Sequence, residues 1–187
     1  EEILEVLDRD DVYAHTYSPV SPGIFDENGK LKKAMWDAME RGVRFDLSHG
    51  SNNFGYDMAR SAIQQGFVVE TISTDLHLGN YTKPGIRLAG VMTKAIQAGI
   101  PLADALKKVI LTPSALLHVA PKAPAIQVGQ TADITVFTVR HDGIELPDVI
   151  GKVETCRTVV QDVATVIGGC LNRSFKTAVP CEDYAGN

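Results

Sequence analysis

Three ionisable side chains follow three successive apolar segments of the chain. They are His15, His49 and Asp75, placed after the segments at 12–14, 43–47 and 67–73. Imidazole and carboxylate groups are common zinc ligands, and a carboxylate beside a metal-activated water can take up its proton. The carboxyl ends of parallel strands meet at one edge of a sheet or barrel. The spacing therefore predicts that these side chains converge on one candidate site.

Each of these residues also has an ordinary structural explanation. Asp75 can be an N-cap or loop aspartate, His15 a hydrogen-bonded core or loop histidine, and His49, which precedes Gly50, a turn residue. If His49 is functional, we expect it to bind substrate or polarise a carbonyl. His77, two residues after Asp75, is predicted to lie beside the site and to contribute to substrate binding.

The elements that position these side chains alternate between strands and helices. Apolar periodicity predicts helices over residues 1–9, 30–41, 53–65, 86–98 and 102–117. Gly42 and Gly66 are expected to end the second and third of these helices. Strands that alternate with helices predict an α/β fold with a parallel sheet or barrel.

The pattern changes after about residue 117. Residues 134–139, 153–160 and 163–167 are rich in β-branched side chains and predict strands, with a turn at Gln161-Asp162. We therefore expect two domains, at 1–117 and 118–187.

Composition restricts the possible functions. The chain has 187 residues, a net charge of −5 and 44% hydrophobic residues, which is typical of a globular protein and argues against nucleic acid as a partner. It has no apolar run long enough to span a membrane, and its acidic first residues do not resemble a signal peptide. Three widely spaced cysteines, Cys156, Cys170 and Cys181, favour a reducing, cytoplasmic setting over a disulfide framework.

Other catalytic classes find little support. The chain has no Gly-x-Ser-x-Gly elbow for a serine nucleophile and no glycine-rich nucleotide-binding motif. A small doubly wound binding domain would fit the alternation of strands and helices, but it would not explain the three strand-end residues or the β region.

Six sequence blocks, in this order, resemble the amidohydrolase superfamily and its dihydroorotase-like amidohydrolase/deacetylase branch. They are Phe45-Asp46-Leu47-Ser48-His49-Gly50-Ser51, Thr71-Ile72-Ser73-Thr74-Asp75-Leu76-His77, Val91-Met92-Thr93-Lys94, Gly99-Ile100-Pro101-Leu102, Leu111-Thr112-Pro113-Ser114-Ala115 and Val128-Gly129-Gln130-Thr131-Ala132-Asp133-Ile134. The resemblance implies the later part of a TIM-like (β/α)8 barrel over 1–117, followed by strands of a small β-sandwich. It implies that His15 is the strand-six metal ligand and that Asp75, at strand eight, is both metal ligand and general base.

The resemblance also implies an activity: hydrolysis of C–N bonds in cyclic amide or N-acyl substrates by a metal-activated water, with a divalent metal, by default zinc. The chain departs from the family because it has no His-x-His motif. We therefore expect it to be a C-terminal fragment that associates with the missing barrel half or with itself. The alternative is a catalytically incomplete structural or assembly module.

Overall fold

The computed structural model describes residues 2–20, 23–118 and 126–173. Cys181 and the last residues of the predicted second domain lie outside this part of the chain. None of the helices in the described ranges is both long enough and apolar enough to cross a membrane.

Five helices form close to where the apolar periodicity predicts them. They are α1 (Glu2–Val6), α2 (Lys33–Arg41), α3 (Tyr56–Gln64), α4 (Leu88–Ala98) and α5 (Leu102–Leu116). Gly42 ends α2 in the left-handed conformation, with φ of 98°, and its N–H donates to Ala38 and Met39 carbonyls. Helix α5 continues through Pro113 to Leu116.

The three segments that carry the candidate residues lie side by side in parallel. Strand β1 (Val12–Tyr13) pairs with β2 (Arg44–Phe45), and a bridge joins Asp46 to Thr71. The Leu47 amide donates to the Thr71 carbonyl at 3.1 Å, and the His49 amide donates to Ser73 at 3.1 Å. The predicted strand at 67–73 is thus an irregular neighbour of β2 rather than a full strand, since Glu70 and Thr71 both donate to the Phe45 carbonyl.

The β region begins as predicted and then differs. Strands β3 (Ile134–Arg140), β6 (Val159–Ile167) and β7 (Cys170–Arg173) form one antiparallel sheet, and β4 (Ile144–Pro147) pairs with β5 (Val153–Cys156). The predicted turn at Gln161-Asp162 is wrong, because β6 runs through it. An irregularity between Val136 and Phe137 lets Asp162 pair with Phe137 and keeps the ladder intact.

One hydrophobic core joins the parallel segments, the helices and the β4–β5 pair. Phe67 packs edge-on against Phe45, with ring centroids 4.9 Å apart, and against Trp36 at 5.3 Å. Leu146 and Cys156 belong to the same core, which therefore crosses the predicted domain boundary at 117. The α/β fold is as predicted, whereas three adjacent parallel segments do not by themselves form a barrel, and the domain division remains a prediction.

Candidate functional site

The three parallel segments end in backbone conformations that are rare for residues other than glycine. His15, Ser48 and Asp75 have φ of 62°, 42° and 48°, and they account for three of the five such residues in the described ranges. This left-handed conformation costs roughly 1–2 kcal/mol per residue with a side chain. Strained residues of this kind cluster at ligand and active sites.

The strand ends bring His15 and Asp75 together. His15 Nε2 lies 4.0 Å from Asp75 Oδ2, and the two side chains are 40% and 43% exposed. On the other side of the ring, His15 Nδ1 lies 2.8 Å from the carbonyl oxygen of Ser48. Because a carbonyl can only accept, Nδ1 carries a proton, and in the neutral form of the ring Nε2 presents its lone pair toward Asp75.

This pair fits two ligands of one divalent ion. Zinc bonds to nitrogen and to carboxylate oxygen are each about 2.1 Å long, so one ion can reach both atoms across 4.0 Å. The backbone acceptor on the far ring nitrogen is the usual support of a metal-binding histidine. Residues 2–20, 23–118 and 126–173 contain no group of three or more His, Cys, Asp or Glu side chains placed to hold a metal.

Gly50 lies against the Asp75 carboxylate. Its φ is 53°, and a Cβ added there would lie 2.7 Å from Asp75 Oδ2 and 2.8 Å from Asn53 Nδ2. The Gly50 amide also donates to the carbonyl of Thr74, the residue before Asp75, at 3.0 Å. Only glycine therefore lets the turn after β2 approach the carboxylate this closely.

His49 points away from the surface. It is 4% exposed and stacks on Phe54, with ring centroids 5.3 Å apart. Its Nδ1 donates to the Gly50 carbonyl at 2.9 Å, and its Nε2 accepts a hydrogen bond from the Lys94 ammonium at 3.0 Å. Burial and then the charge of Lys94 lower the pKa of His49 to about 3, so the ring is neutral at pH 7. Its predicted contact with substrate remains a prediction.

His77 lies on the exposed side of the same region. Its Nδ1 accepts the Gly79 amide at 3.1 Å, which places the ring proton on Nε2, 3.4 Å from Ser51 Oγ. Asn80, fully buried, accepts the His77 amide and donates to the Asp75 carbonyl. His77 is thus beside the site, as predicted, and its role in substrate binding remains a prediction.

Two buried charged residues of this region were not singled out by their position in the sequence. Asp46 accepts hydrogen bonds from the Thr71 and Ser73 hydroxyls, the first at 2.6 Å, and so joins the second segment to the third. Lys94 is 1% exposed, and burial lowers its pKa to about 8. The sequence feature that could have indicated them is a charged residue within an apolar segment. Asp46 lies between Phe45 and Leu47, and Lys94 lies on the buried face of α4.

Comparisons with known sequences connect this geometry to a group of enzymes. No family model matches the chain. A deacetylase of Enterococcus faecalis is 30% identical over 171 residues, which are 90% of this chain and 46% of the relative. A deacetylase of Brucella anthropi is 29% identical over 168 residues, which are 90% of this chain and 42% of the relative.

Comparison with solved structures also finds enzymes similar to this chain. The crystal structure of an adenine deaminase matches with a TM-score of 0.85 at 29% identity, over 92% of this chain and 47% of that one. A dihydroorotase matches with a TM-score of 0.81 at 29% identity, over 92% of this chain and 45% of that one. The resemblance to the amidohydrolase superfamily is thereby confirmed. The chain spans less than half the length of these relatives, which is consistent with the predicted C-terminal part.

Proposed function

We propose that this chain contributes His15 and Asp75 to the metal site of a hydrolase that cleaves C–N bonds. The observation that carries the proposal is the approach of His15 Nε2 to within 4.0 Å of Asp75 Oδ2, at two strand ends in strained conformations. The likeness to proteins named deacetylase, adenine deaminase and dihydroorotase supports a hydrolase of this class.

A divalent metal, with zinc as the default for imidazole and carboxylate ligands, would supply Lewis acidity and lower the pKa of water toward neutrality. His15 would bind it through Nε2, while the Ser48 carbonyl holds the proton on Nδ1. Asp75 would bind it through one carboxylate oxygen and accept the proton of the attacking water. Asp75 would then pass this proton to the leaving nitrogen, which makes it the general base and then the general acid.

The substrate class that fits this mechanism is a cyclic amide or an N-acyl compound, because protonation of the leaving nitrogen is the step that an amide needs. His77 and Ser51 form the exposed rim beside Asp75 and are proposed to contact substrate. His49 is proposed to act on substrate through the turn that it supports, since its ring is buried.

The test compares Asp75→Asn with a matched control in the intact protein. We expect Asp75→Asn to fold normally and to lose nearly all hydrolysis of N-acetyl amino acids and dihydroorotate, since an amide cannot take up the proton. Asp104 is 46% exposed, close to the 43% of Asp75, so Asp104→Asn controls for the loss of a surface carboxylate. Full activity of Asp75→Asn, or equal losses in both variants, would refute the assignment.

A second candidate function is a structural or assembly module without catalysis. It is favoured because the described residues bring only two candidate ligands, His15 and Asp75, to the proposed metal site, whereas closed zinc sites usually have three or four protein ligands. Zinc analysis of the purified chain separates the two functions. Tight, stoichiometric zinc would contradict the module, whereas zinc that binds only when the rest of the barrel is added would support association with that half.

A further inference from the structure

We propose that Lys94 is a positioning residue that holds His15 in its metal-binding tautomer through His49 and the turn at Ser48–Gly50. The inference rests on the proposed function, because it concerns the same site. It assigns a role to a buried lysine that does not touch the site itself.

The connection consists of hydrogen bonds to both sides of one backbone turn, at Ser48–Gly50. The Lys94 ammonium donates to His49 Nε2 at 3.0 Å, and His49 Nδ1 donates to the Gly50 carbonyl at 2.9 Å. Within the same turn, the Ser48 carbonyl accepts the His15 Nδ1 proton at 2.8 Å. The direction of the Ser48 carbonyl depends on the conformation of the turn. It therefore depends on the buried His49 ring, which is hydrogen-bonded to the same turn.

The turn needs this support because its backbone is strained. Ser48, just before His49, has φ of 42°, which is rare for a residue other than glycine, whereas Gly50, just after it, adopts its φ of 53° without strain. The His49 and Gly50 amides donate to the Ser73 and Thr74 carbonyls, so the same turn also fixes the backbone that leads into Asp75. A residue that locks the His49 ring thus acts on both proposed metal ligands.

Lys94 is well suited to lock that ring and poorly suited to other roles. It is 1% exposed, which excludes direct contact with substrate, and its other acceptor is the Pro84 carbonyl at 3.4 Å. The charged or ionisable groups that act on it from the β4–β5 side are Asp148 and Cys156. Gly85 packs against Lys94 Cε: a Cβ added to Gly85 would lie 2.8 Å from that atom, so the lysine side chain has little room to move.

The experiment reads the histidine tautomers directly, in the absence of metal. Long-range 1H–15N spectra of the labelled chain should show His15 and His49 protonated on Nδ1. In Lys94→Met we expect His15 to lose its preference for Nδ1 protonation, because the turn relaxes. A Zn2+ titration followed at the His15 ring signals should then show about tenfold weaker binding.

Lys108→Met is the matched control. Lys108 lies on α5, is partly buried, and its side chain donates to a backbone carbonyl, that of Val69, rather than to His49. We expect its His15 spectrum and Zn2+ affinity to equal those of the wild type. Unchanged His15 tautomers in Lys94→Met, or equal changes in the two lysine variants, would overturn the proposal.

A second pair of variants covers the case in which Lys94→Met does not fold. His49→Gln keeps one acceptor for Lys94 and one donor for Gly50, whereas His49→Leu removes both. A His15 tautomer that is retained in the first variant and lost in the second supports the proposal, and any other result overturns it. Because tautomers are measured without metal or substrate, failure of the hydrolase proposal remains distinguishable from failure of this one.

Discussion

Replacing Gly50 by alanine tests whether the turn after β2 is shaped around the Asp75 carboxylate. At φ of 53° the new residue is expected to cost roughly 1–2 kcal/mol of stability from backbone strain. Its Cβ would lie 2.7 Å from Asp75 Oδ2, about 0.7 Å short of the 3.4 Å at which ordinary contact begins. Because the carboxylate is the end of an exposed side chain, it can move and relieve the clash.

The two effects should therefore separate. Stability falls only by the strain, whereas the Asp75 carboxylate shifts by several tenths of an ångström from its present position beside His15. A misplacement of about 1 Å at a reacting group costs roughly 100-fold in rate, so we expect Zn2+ affinity and turnover to fall on the order of 10-fold to 100-fold. Urea unfolding measures the first effect. A Zn2+ titration at the His15 ring signals, with turnover of the intact protein, measures the second.

Gly66→Ala is the matched control for the backbone strain. Gly66 has φ of 87° and no atom within 4 Å of an added Cβ, so its substitution introduces strain without a clash. We expect it to lower stability by a similar amount and to leave Zn2+ affinity unchanged. Zn2+ binding by Gly50→Ala that equals that of the wild type would refute the role of Gly50 beside the carboxylate. A Gly50→Ala protein several kcal/mol less stable than Gly66→Ala would also refute it, since the backbone would then be absorbing the clash.

Two further substitutions test the supports of the site and of the fold. Asn80→Ala removes the buried side-chain amide that joins the Asp75 carbonyl to the His77 backbone amide. We expect the free energy of unfolding to fall by about 1–3 kcal/mol and hydrogen exchange at the His77 amide to become faster. Unchanged exchange would contradict this role of Asn80. The Arg60 guanidinium lies 2.7 Å from the Glu154 carboxylate and is the main cause that lowers the pKa of Glu154 below its ordinary 4.5. The ionised Glu154 therefore stabilises the protein above pH 4.5, and this contribution is lost as the pH falls through the lowered pKa. Glu154→Gln should therefore lower stability by about 1 kcal/mol at pH 7, with the difference from wild type disappearing in acid; a difference independent of pH in urea unfolding would contradict the ion pair.

The elements that the sequence predicted well are those that depend on local rules. Apolar periodicity located all five helices of the described ranges to within a few residues, and the glycine that ends α2 adopts the left-handed conformation expected of it. The strand-end rule brought His15 and Asp75 to the same edge, because all three parallel segments end there, although β2 separates the two that carry these residues.

The predictions that failed depend on contacts between distant segments. Nothing near Gln161-Asp162 indicates that β6 takes up one extra residue, Val163, where its pairing passes from Val136 to Phe137, and so continues as one strand. Similarly, the segment at 67–73 has a strand-like composition but shares one acceptor, the Phe45 carbonyl, between two amides. The burial of His49 was also hidden, because its partner Lys94 lies 45 residues later on α4.

The arrangement of His15 and Asp75 is not explained by the stability that it provides. A polar contact between two side chains that are each about 40% exposed contributes at most about 1 kcal/mol. The left-handed conformations of His15, Ser48 and Asp75 together cost several times that, at roughly 1–2 kcal/mol each. The contact alone therefore does not account for the strain, and the hydrogen bonds of the turn, such as those of the His49 and Gly50 amides to Ser73 and Thr74, must hold these conformations in the free protein. A ligand bound by both side chains would add its own free energy to these supports, because its bonds form only when both groups are in place.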